Sequence, residues 1–452
     1  MRNTILKLAI WINRSLSKKP KIAKAVASIM PPNRLLYGSS YRKWYNSINF
    51  NAPIEEERIL ATTNYAYSNA KHYSSLNVDL PIISLNDFRN RIPFCDKEII
   101  VNKGENLLTK QFNYSDYEIV TTGSTSGLPT TFYLPKKRYQ KEYAFYHRIW
   151  SQFGYENQLR GVIRNEKLQE NQHYKLNPVT KELIFDGFNS TDSYYQIIFK
   201  TLKDFKIEYL QCYASSAYNF AVAAQKHNWD ITFIKAIFLS SENYMPHQRE
   251  LLKNTLGLNV VSVYGHSEKL IMAVDFNGNG SYQVINNYGF LELIDEDGNL
   301  IQETGITGEI VGTTLDNYGQ PLIRYKTGDL SSYSVYVKNG KRVLDGIQGR
   351  TFFKIYNKDN TFVTPTALNM HNDIYLHING YQYYQPIKGE LHIKIIPKES
   401  FTVTHENLLI SHFSKRLAKD TLVVLKKVTQ LTKGVNGKVQ IFISNIKEDK
   451  LI

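Results

Sequence analysis

Cysteine is nearly absent from this sequence: only Cys95 and Cys212 occur in 452 residues. Two thiols cannot build a disulfide framework or a multi-cysteine zinc site, and such scarcity suits a reducing compartment such as the cytoplasm, or simple indifference to disulfides. Long apolar runs are missing too. No uninterrupted stretch approaches the roughly 18 residues that a membrane-spanning helix needs. Arginine-rich blocks do not occur. The formal charge is +14, but the positive residues are scattered and no nucleic-acid reader motif accompanies them. That charge suits phosphorylated metabolites or an anionic membrane surface instead. Internal repeats and low-complexity tracts are also lacking, which excludes solenoids and fibres. What remains is a globular composition, 42% hydrophobic and 21% charged, with 32 Tyr and 22 Phe. The length allows roughly two or three domains.

The N-terminus carries an apolar segment, residues 5–12, broken by Lys7 and followed by Arg14, Lys18, Lys19, Lys21 and Lys24. A secretory signal has a cleaner apolar core and fewer following charges. Residues 1–50 are therefore expected to form basic amphipathic helices. These either pack on their own domain or rest peripherally on the inner, anionic face of a membrane. Helical spacing marks 54–72 and 135–152. Residues 155–195 are irregular and polar, and are expected to face the substrate. From about 194 helices and strands alternate: helices at 197–204, 215–226 and 246–256, strands at 207–211, 233–239 and 259–263. This alternation predicts a parallel α/β sheet. After 280 the pattern turns to strands alone, at 290–294, 308–314, 322–325 and 332–337, with Gly and Asp-Gly turns between them. The tail from 350 mixes strands and helices. The expected fold is α/β, with a large multi-layer N-terminal domain (1–344) of parallel sheet and β-rich subdomain, then a small mobile α+β domain (345–452).

One more absence shapes the chemistry. The run Thr121-Thr-Gly-Ser-Thr-Ser-Gly-Leu-Pro129 puts five hydroxyls and two glycines in nine residues. It lacks the Gly-Lys-Ser/Thr ending of the common nucleotide loop. Hydroxyls and backbone N–H groups on a glycine-rich turn can surround a polyanion; an ordinary surface loop has a similar composition. Tyr264-Gly-His-Ser-Glu268 follows a predicted strand, where ligands gather in parallel sheets. Its aromatic can stack on a base, its glycine allows close approach, and Glu268 can hold Mg²⁺ beside phosphates; a strand-ending turn with a solvated carboxylate reads the same way. Arg324-Tyr-Lys-Thr-Gly-Asp329 places a carboxylate after a Thr-Gly turn, suited to ribose hydroxyls or to capping that turn. Gly349-Arg350 offers a planar fork for ribose or phosphate, and Gly434-Val-Asn-Gly-Lys438 a point charge on a turn.

Together, and in this order, these motifs resemble the adenylate-forming enzymes. The resemblance is nearest to the phenylacetate–CoA ligase branch and its capsule-biosynthesis (CapK-like) relatives. It spans about 54–443 and is strongest over 234–270 and 308–329. It implies that Thr122, Gly123, Thr125, Ser126 and Gly127 cradle the phosphates of ATP, and that Ser241, Glu242, Tyr264, Gly265 and His266 border the nucleotide. It implies Ser267 beside the α-phosphate and acyl group, Glu268 on Mg²⁺, and Asp329 and Arg350 on the ribose. Lys438, on the small domain, is the implied catalytic lysine, and 345–349 the hinge on which that domain turns between half-reactions. The implied activity is adenylation of a carboxylic acid, then acyl transfer to a thiol, amine or hydroxyl. Two departures qualify the match. Ser124 stands where relatives often have glycine. Thr351-Phe-Phe-Lys354 replaces an acidic pair common in CoA ligases, and Asn357-Lys-Asp-Asn-Thr-Phe-Val-Thr364 follows it as in the capsule-type variant, which puts CoA in doubt as the acceptor. With the basic N-terminus and scattered positive charge, this favours a role in capsule or surface-polysaccharide synthesis. A metabolic acyl-CoA ligase and a non-catalytic member of the fold are the alternatives; a nucleic-acid-binding module has only charge behind it.

Overall fold

The computed structural model describes residues 22, 25, 37–122, 130–164, 166–169, 172–189, 191–242, 244–338, 340–347, 354–363, 368, 374, 377–432 and 442–446. The strands of the large domain are β1 (Tyr117–Thr122), β2 (Thr130–Pro135), β3 (Arg160–Ile163), β4 (Lys175–Asn177), β5 (Glu182–Phe185), β6 (Tyr209–Cys212), β7 (Ala236–Ser240), β8 (Val260–Gly265), β9 (Met272–Asp275), β10 (Ser281–Val284), β11 (Phe290–Ile294), β12 (Thr307–Thr313), β13 (Tyr325–Tyr336) and β14 (Arg342–Asp345). Those of the small domain are β15 (Ile355–Tyr356), β16 (Phe362–Val363), β17 (Ile378–Gln385), β18 (Glu390–Pro397), β19 (Leu422–Lys427) and β20 (Phe442–Ser444).

Twelve strands join in one sheet, ordered β11-β12-β13-β14-β10-β9-β8-β7-β6-β3-β5-β4. Its middle, β8-β7-β6-β3-β5, is parallel. Every strand outside that middle pairs antiparallel. The parallel strands β6 and β7 are buried at every position, as expected for strands covered on both faces. Helices Asp192–Asp204 and Ala214–Lys226 cover one face around Phe220, Ile198 and Leu202. Helices Gly38–Ser47 and Arg138–Trp150 cover the other, where Trp150 stacks on Phe238 at 4.9 Å. Helix Asp192–Asp204 comes so close to β3 that a Cβ on Gly161 would lie 3.0 Å from Leu202 Cδ2. Glycine is required there for close packing rather than for backbone freedom.

The mixed α/β class with a large sheet and a β-rich subdomain matches the reading of the sequence. Several elements differ. Residues 155–195 hold three strands, β3, β4 and β5, where an irregular segment was expected. The two strands expected at 322–325 and 332–337 are one continuous strand, β13, which starts only at Tyr325 because Arg324 has a φ of +49°. The helix expected over 246–256 is a short turn, Pro246–Arg249, running into a π-helical turn, Glu250–Thr255.

The small domain packs helix Val403–Ser414 against a four-stranded sheet, β19-β18-β17-β20. Tyr213 and Phe188 of the large domain join its apolar cluster. Residues 342–346 are held by the large sheet: β14 pairs with β10 and β13, and Gly346 N donates to Gly280 O at 2.8 Å. The rest of the expected hinge, 348–349, and most of the basic N-terminal segment lie outside the described residues. No described helix is long and apolar enough to cross a membrane. Both cysteines are buried and unbridged. Burial pushes each thiol up to about 12, so neither is a thiolate nucleophile at neutral pH.

Candidate functional site

The carboxyl ends of the parallel strands share one edge, and the next residue of each strand begins the site. Arg164 follows β3, Tyr213 follows β6, Ser241 follows β7, and His266–Glu268 follow β8. From β3 the chain crosses one way, to β5; from β6 it moves the other way, to β7 and β8. The β3/β6 border is therefore the point where strand order reverses, the usual place for a ligand crevice in such sheets.

At the end of β8, two motifs some sixty residues apart meet. Tyr264 Oη donates to Asp329 Oδ2 at 2.8 Å, and Tyr325 Oη donates to Glu268 Oε1 at 3.4 Å. His266 lies edge-on to Tyr264, and its Nδ1 is 3.4 Å from Glu268 Oε2. Both His266 ring nitrogens are buried, and apart from that approach of Nδ1 to Glu268 neither has a hydrogen-bond partner among the described residues. Buried polar atoms are normally satisfied, so an orphan here marks a place for a ligand or water.

Asp329 is not on a turn between strands, as its Thr-Gly neighbours suggested. It lies within β13, on a bulge: Lys326 pairs with Val311, yet Leu330 pairs with Glu309. Gly328 takes a φ of +78° and donates its N–H to Glu309 Oε1 at 2.9 Å. Thr327 Oγ1 donates to Ile310 O and accepts from Asp329 N. Bulges re-aim side chains, and this one directs Asp329 towards Tyr264. Arg324, from the same motif, is buried away from that edge between Phe94 and Glu292.

Ser241 has a φ of +69°, a strained left-handed conformation for serine. Glu242 accepts from Ser215 N at 2.9 Å, capping the helix that follows β6. The structure thus brings Ser241, Glu242, Tyr264, Gly265, His266, Ser267 and Glu268 to one edge, with Asp329 bonded to Tyr264. Thr122 ends β1, paired with Thr130 across the base of the hydroxyl loop. The loop positions Gly123, Thr125, Ser126 and Gly127, together with Arg350 and Lys438, lie outside the described residues.

Sequence reading missed the support behind Glu268. Lys269, at a φ of +59°, pairs with Glu142 of helix Arg138–Trp150 at 2.9 Å. Glu142 also accepts from the Tyr288 hydroxyl. Burial works to raise the Glu142 pKa, but Lys269, Tyr288 and Lys141 outweigh it and hold the carboxyl below its ordinary value of 4.5. A depressed carboxyl contributes stability that is present above its ordinary range and is lost as pH falls through the folded value. The melting-temperature gap between the protein and a Glu142→Gln variant should be widest near neutral pH and should close as pH falls below that ordinary value. A gap independent of pH would show that the charge of Glu142 is irrelevant.

An open pocket lies at the strand-order reversal, lined by Val162, Arg164, Glu166, Glu182, Ile184, Tyr213 and Ser241. Apart from Ser241, these residues fall within 155–195 or immediately after β6. Among the described residues no group of three or more His, Cys, Asp or Glu side chains could hold a metal by itself. One carboxylate beside a phosphate site is nonetheless the usual protein share of a magnesium ion, which keeps waters and substrate oxygens for its other positions. Glu268 beside the orphaned His266 fits that pattern.

Comparison with models of known protein families and with curated protein sequences gave no match. Solved structures do match. A 2-hydroxyisobutyryl-CoA ligase in complex with 2-HIB-AMP and CoA, in the thioesterification state, superimposes with a TM-score of 0.55 at 17% identity, covering 86% of this chain and 88% of that one. The same ligase in the postadenylation state with R3-HIB-AMP gives a TM-score of 0.50 at 16% identity, with the same coverage. At that identity the likeness establishes a shared fold over most of both chains.

Proposed function

We propose that this protein is an AMP-forming carboxylate ligase. The observation that carries the reading is the meeting of Tyr264 with Asp329, and of Glu268 with Tyr325, at the carboxyl edge of the sheet. A carboxylate oxygen of the acid attacks the α-phosphorus of ATP, the bond to the β-phosphate oxygen breaks, and acyl-AMP and pyrophosphate result. The acceptor's thiol, amine or hydroxyl then attacks the acyl carbon and AMP leaves. Thr122, Gly123, Thr125, Ser126 and Gly127 hold the phosphates through N–H and hydroxyl groups. Ser241, Glu242, Gly265 and His266 border the nucleotide, Tyr264 lies along the adenine, and Asp329 and Arg350 take the ribose hydroxyls. Ser267 sits by the α-phosphate. Glu268 would hold the Mg²⁺ that accompanies ATP, which supplies charge neutralisation as anions approach one another. Lys438, carried by the domain 345–452, adds a cation at the reacting centre, and the domain turns between half-reactions.

The fold likeness to a CoA ligase supports a thioester-forming variant, and Thr351-Phe-Phe-Lys354 supports transfer to another acceptor, as in surface-polysaccharide synthesis. A basic N-terminus would place that work at the inner membrane face. Carboxylate-dependent release of pyrophosphate from ATP tests the core of the reading. A panel of acids that elicits no release, together with no ATP binding, would refute it. Adding CoA, amino acids and amino sugars in turn identifies the acceptor by which one accelerates AMP formation. A Lys438→Ala variant should keep ATP binding and lose adenylation by about 10²-fold or more; unchanged pyrophosphate release would remove Lys438 from the chemistry.

A further inference from the structure

The pocket at the β3/β6 border contains one charge without an answer. Glu182 is neutralised by Arg160, a fully buried guanidinium that also bonds Gln211 Oε1 and Thr180 O. Glu166 pairs with Lys175 at 3.0 Å. Arg164, by contrast, is half-buried and has no hydrogen bond or ion pair among the described residues. A partly exposed guanidinium on the wall of an open pocket, with no partner among the described residues, is available to an anionic ligand. Its planar fork matches a carboxylate or phosphate through two parallel bonds.

A second cation approaches from the small domain. Arg416 Nη1 donates to His412 O at 3.0 Å, its guanidinium lies 5.7 Å from the Phe188 ring, and its Nε is buried without a partner. The buried Tyr213 phenol feels both guanidiniums, with Glu242 opposing them. The pocket lining thus holds Arg164 beside the paired carboxylates Glu166 and Glu182, Arg416 lies within electrostatic reach of Tyr213 and Glu166 from the small domain, and Val162, Ile184 and Tyr213 give the pocket an apolar wall.

Position decides which anion Arg164 can meet. Three strand spacings separate β3 from β8 in the sheet order, which amounts to about 14 Å. A carboxylate reacting beside Glu268 and Ser267, at the end of β8, does not also sit on a group rooted at the end of β3. A molecule with an anionic group at each end spans that distance.

We propose that the pocket selects an acid bearing a second anionic group, which Arg164 holds while the first carboxylate is adenylated. This proposal rests on the ligase reading above. Arg416 closes over the same end when the small domain is docked. The substrate class is a dicarboxylic or otherwise doubly anionic acid, with an apolar middle lying along Val162 and Ile184.

The test compares α,ω-dicarboxylates from adipate to sebacate, long enough to bridge that distance with the reach of the Arg164 side chain, with monocarboxylates of equal length, as substrates for pyrophosphate release. The dicarboxylates should be preferred in kcat/KM by about a hundredfold or more, because an uncompensated polar group rejects the analogue that lacks its partner. Arg164→Met should collapse that ratio to within about tenfold, and Arg164→Lys should restore part of it. Arg164 has no hydrogen bond or ion pair to lose among the described residues, so the melting temperature of both variants should match the parent. Calorimetric titration of each dicarboxylate into the nucleotide-free protein gives a second readout. Dicarboxylate binding that Arg164→Met abolishes, with no pyrophosphate release from any acid, upholds the pocket and refutes the ligase reading. An equal rate with both acid classes, an unchanged ratio in Arg164→Met, or an effect of that variant on the acceptor step alone overturns the proposal and leaves the ligase reading standing.

Discussion

Replacing Glu268 by glutamine is expected to lower the rate of carboxylate-dependent pyrophosphate release by about 10² to 10³-fold, the usual cost of removing one preorganised electrostatic group from a charged transition state. The side chain is 10% exposed and close to both Tyr325 Oη and His266. Glutamine keeps its shape and can still accept from Tyr325, so folding should survive. What is lost is a formal negative charge, the feature that suits a magnesium–phosphate complex. The defect should therefore appear mainly as a raised magnesium requirement and a reduced kcat, with nucleotide affinity measured without metal little changed. A Glu268→Gln protein with parental activity at low magnesium would remove this carboxylate from the reaction. A variant that fails to bind nucleotide even without metal would make it a structural residue.

The sequence showed more of the sheet than of the pocket. Strand β7 was legible because Ala236-Ile-Phe-Leu239 is a short apolar run between polar turns, and the spacing of helix Ala214–Lys226 before it indicated a crossover. Strand β3 was not, because its first residue is Arg160. A fully buried arginine reads as a loop residue until Glu182, twenty-two positions on, is known to neutralise it. The site edge at β8 was legible because its residues are contiguous in sequence. The pocket residues come in ones, twos and threes from β3, β5, β6 and β7 and the residues just after them, and no local pattern reveals that they meet. Thr327-Gly-Asp329 carries a glycine that marks an irregular backbone equally well as a turn or a bulge. Only the pairing of β13 with β12 separates the two.

The Arg324 position shows how a residue inside a recognisable motif can serve the fold instead of the ligand, and it predicts the largest stability loss. Arg324 Nε donates to Glu292 Oε2 at 3.2 Å, and Nη1 donates to Ile92 O at 2.7 Å and to Arg89 O at 2.8 Å. Its guanidinium lies 4.1 Å from the Phe94 ring centre and 5.7 Å from that of Phe88. Glu292 is 1% exposed and has one further cation, Arg89, at 3.5 Å. Arg324→Met keeps much of the volume against the two rings, but it leaves a buried carboxylate half-compensated and two carbonyls without their donor. Breaking a buried pair from one side typically costs about 3–5 kcal/mol. The urea midpoint of the large-domain transition should fall accordingly, while protein still folded at low temperature should bind ATP with parental affinity. Pairing Arg324→Met with Glu292→Leu should recover part of the loss, since the uncompensated charge is then removed as well. An Arg324→Met protein of unchanged stability that no longer binds ATP would place this arginine in the nucleotide site and contradict its burial between Phe94 and Glu292.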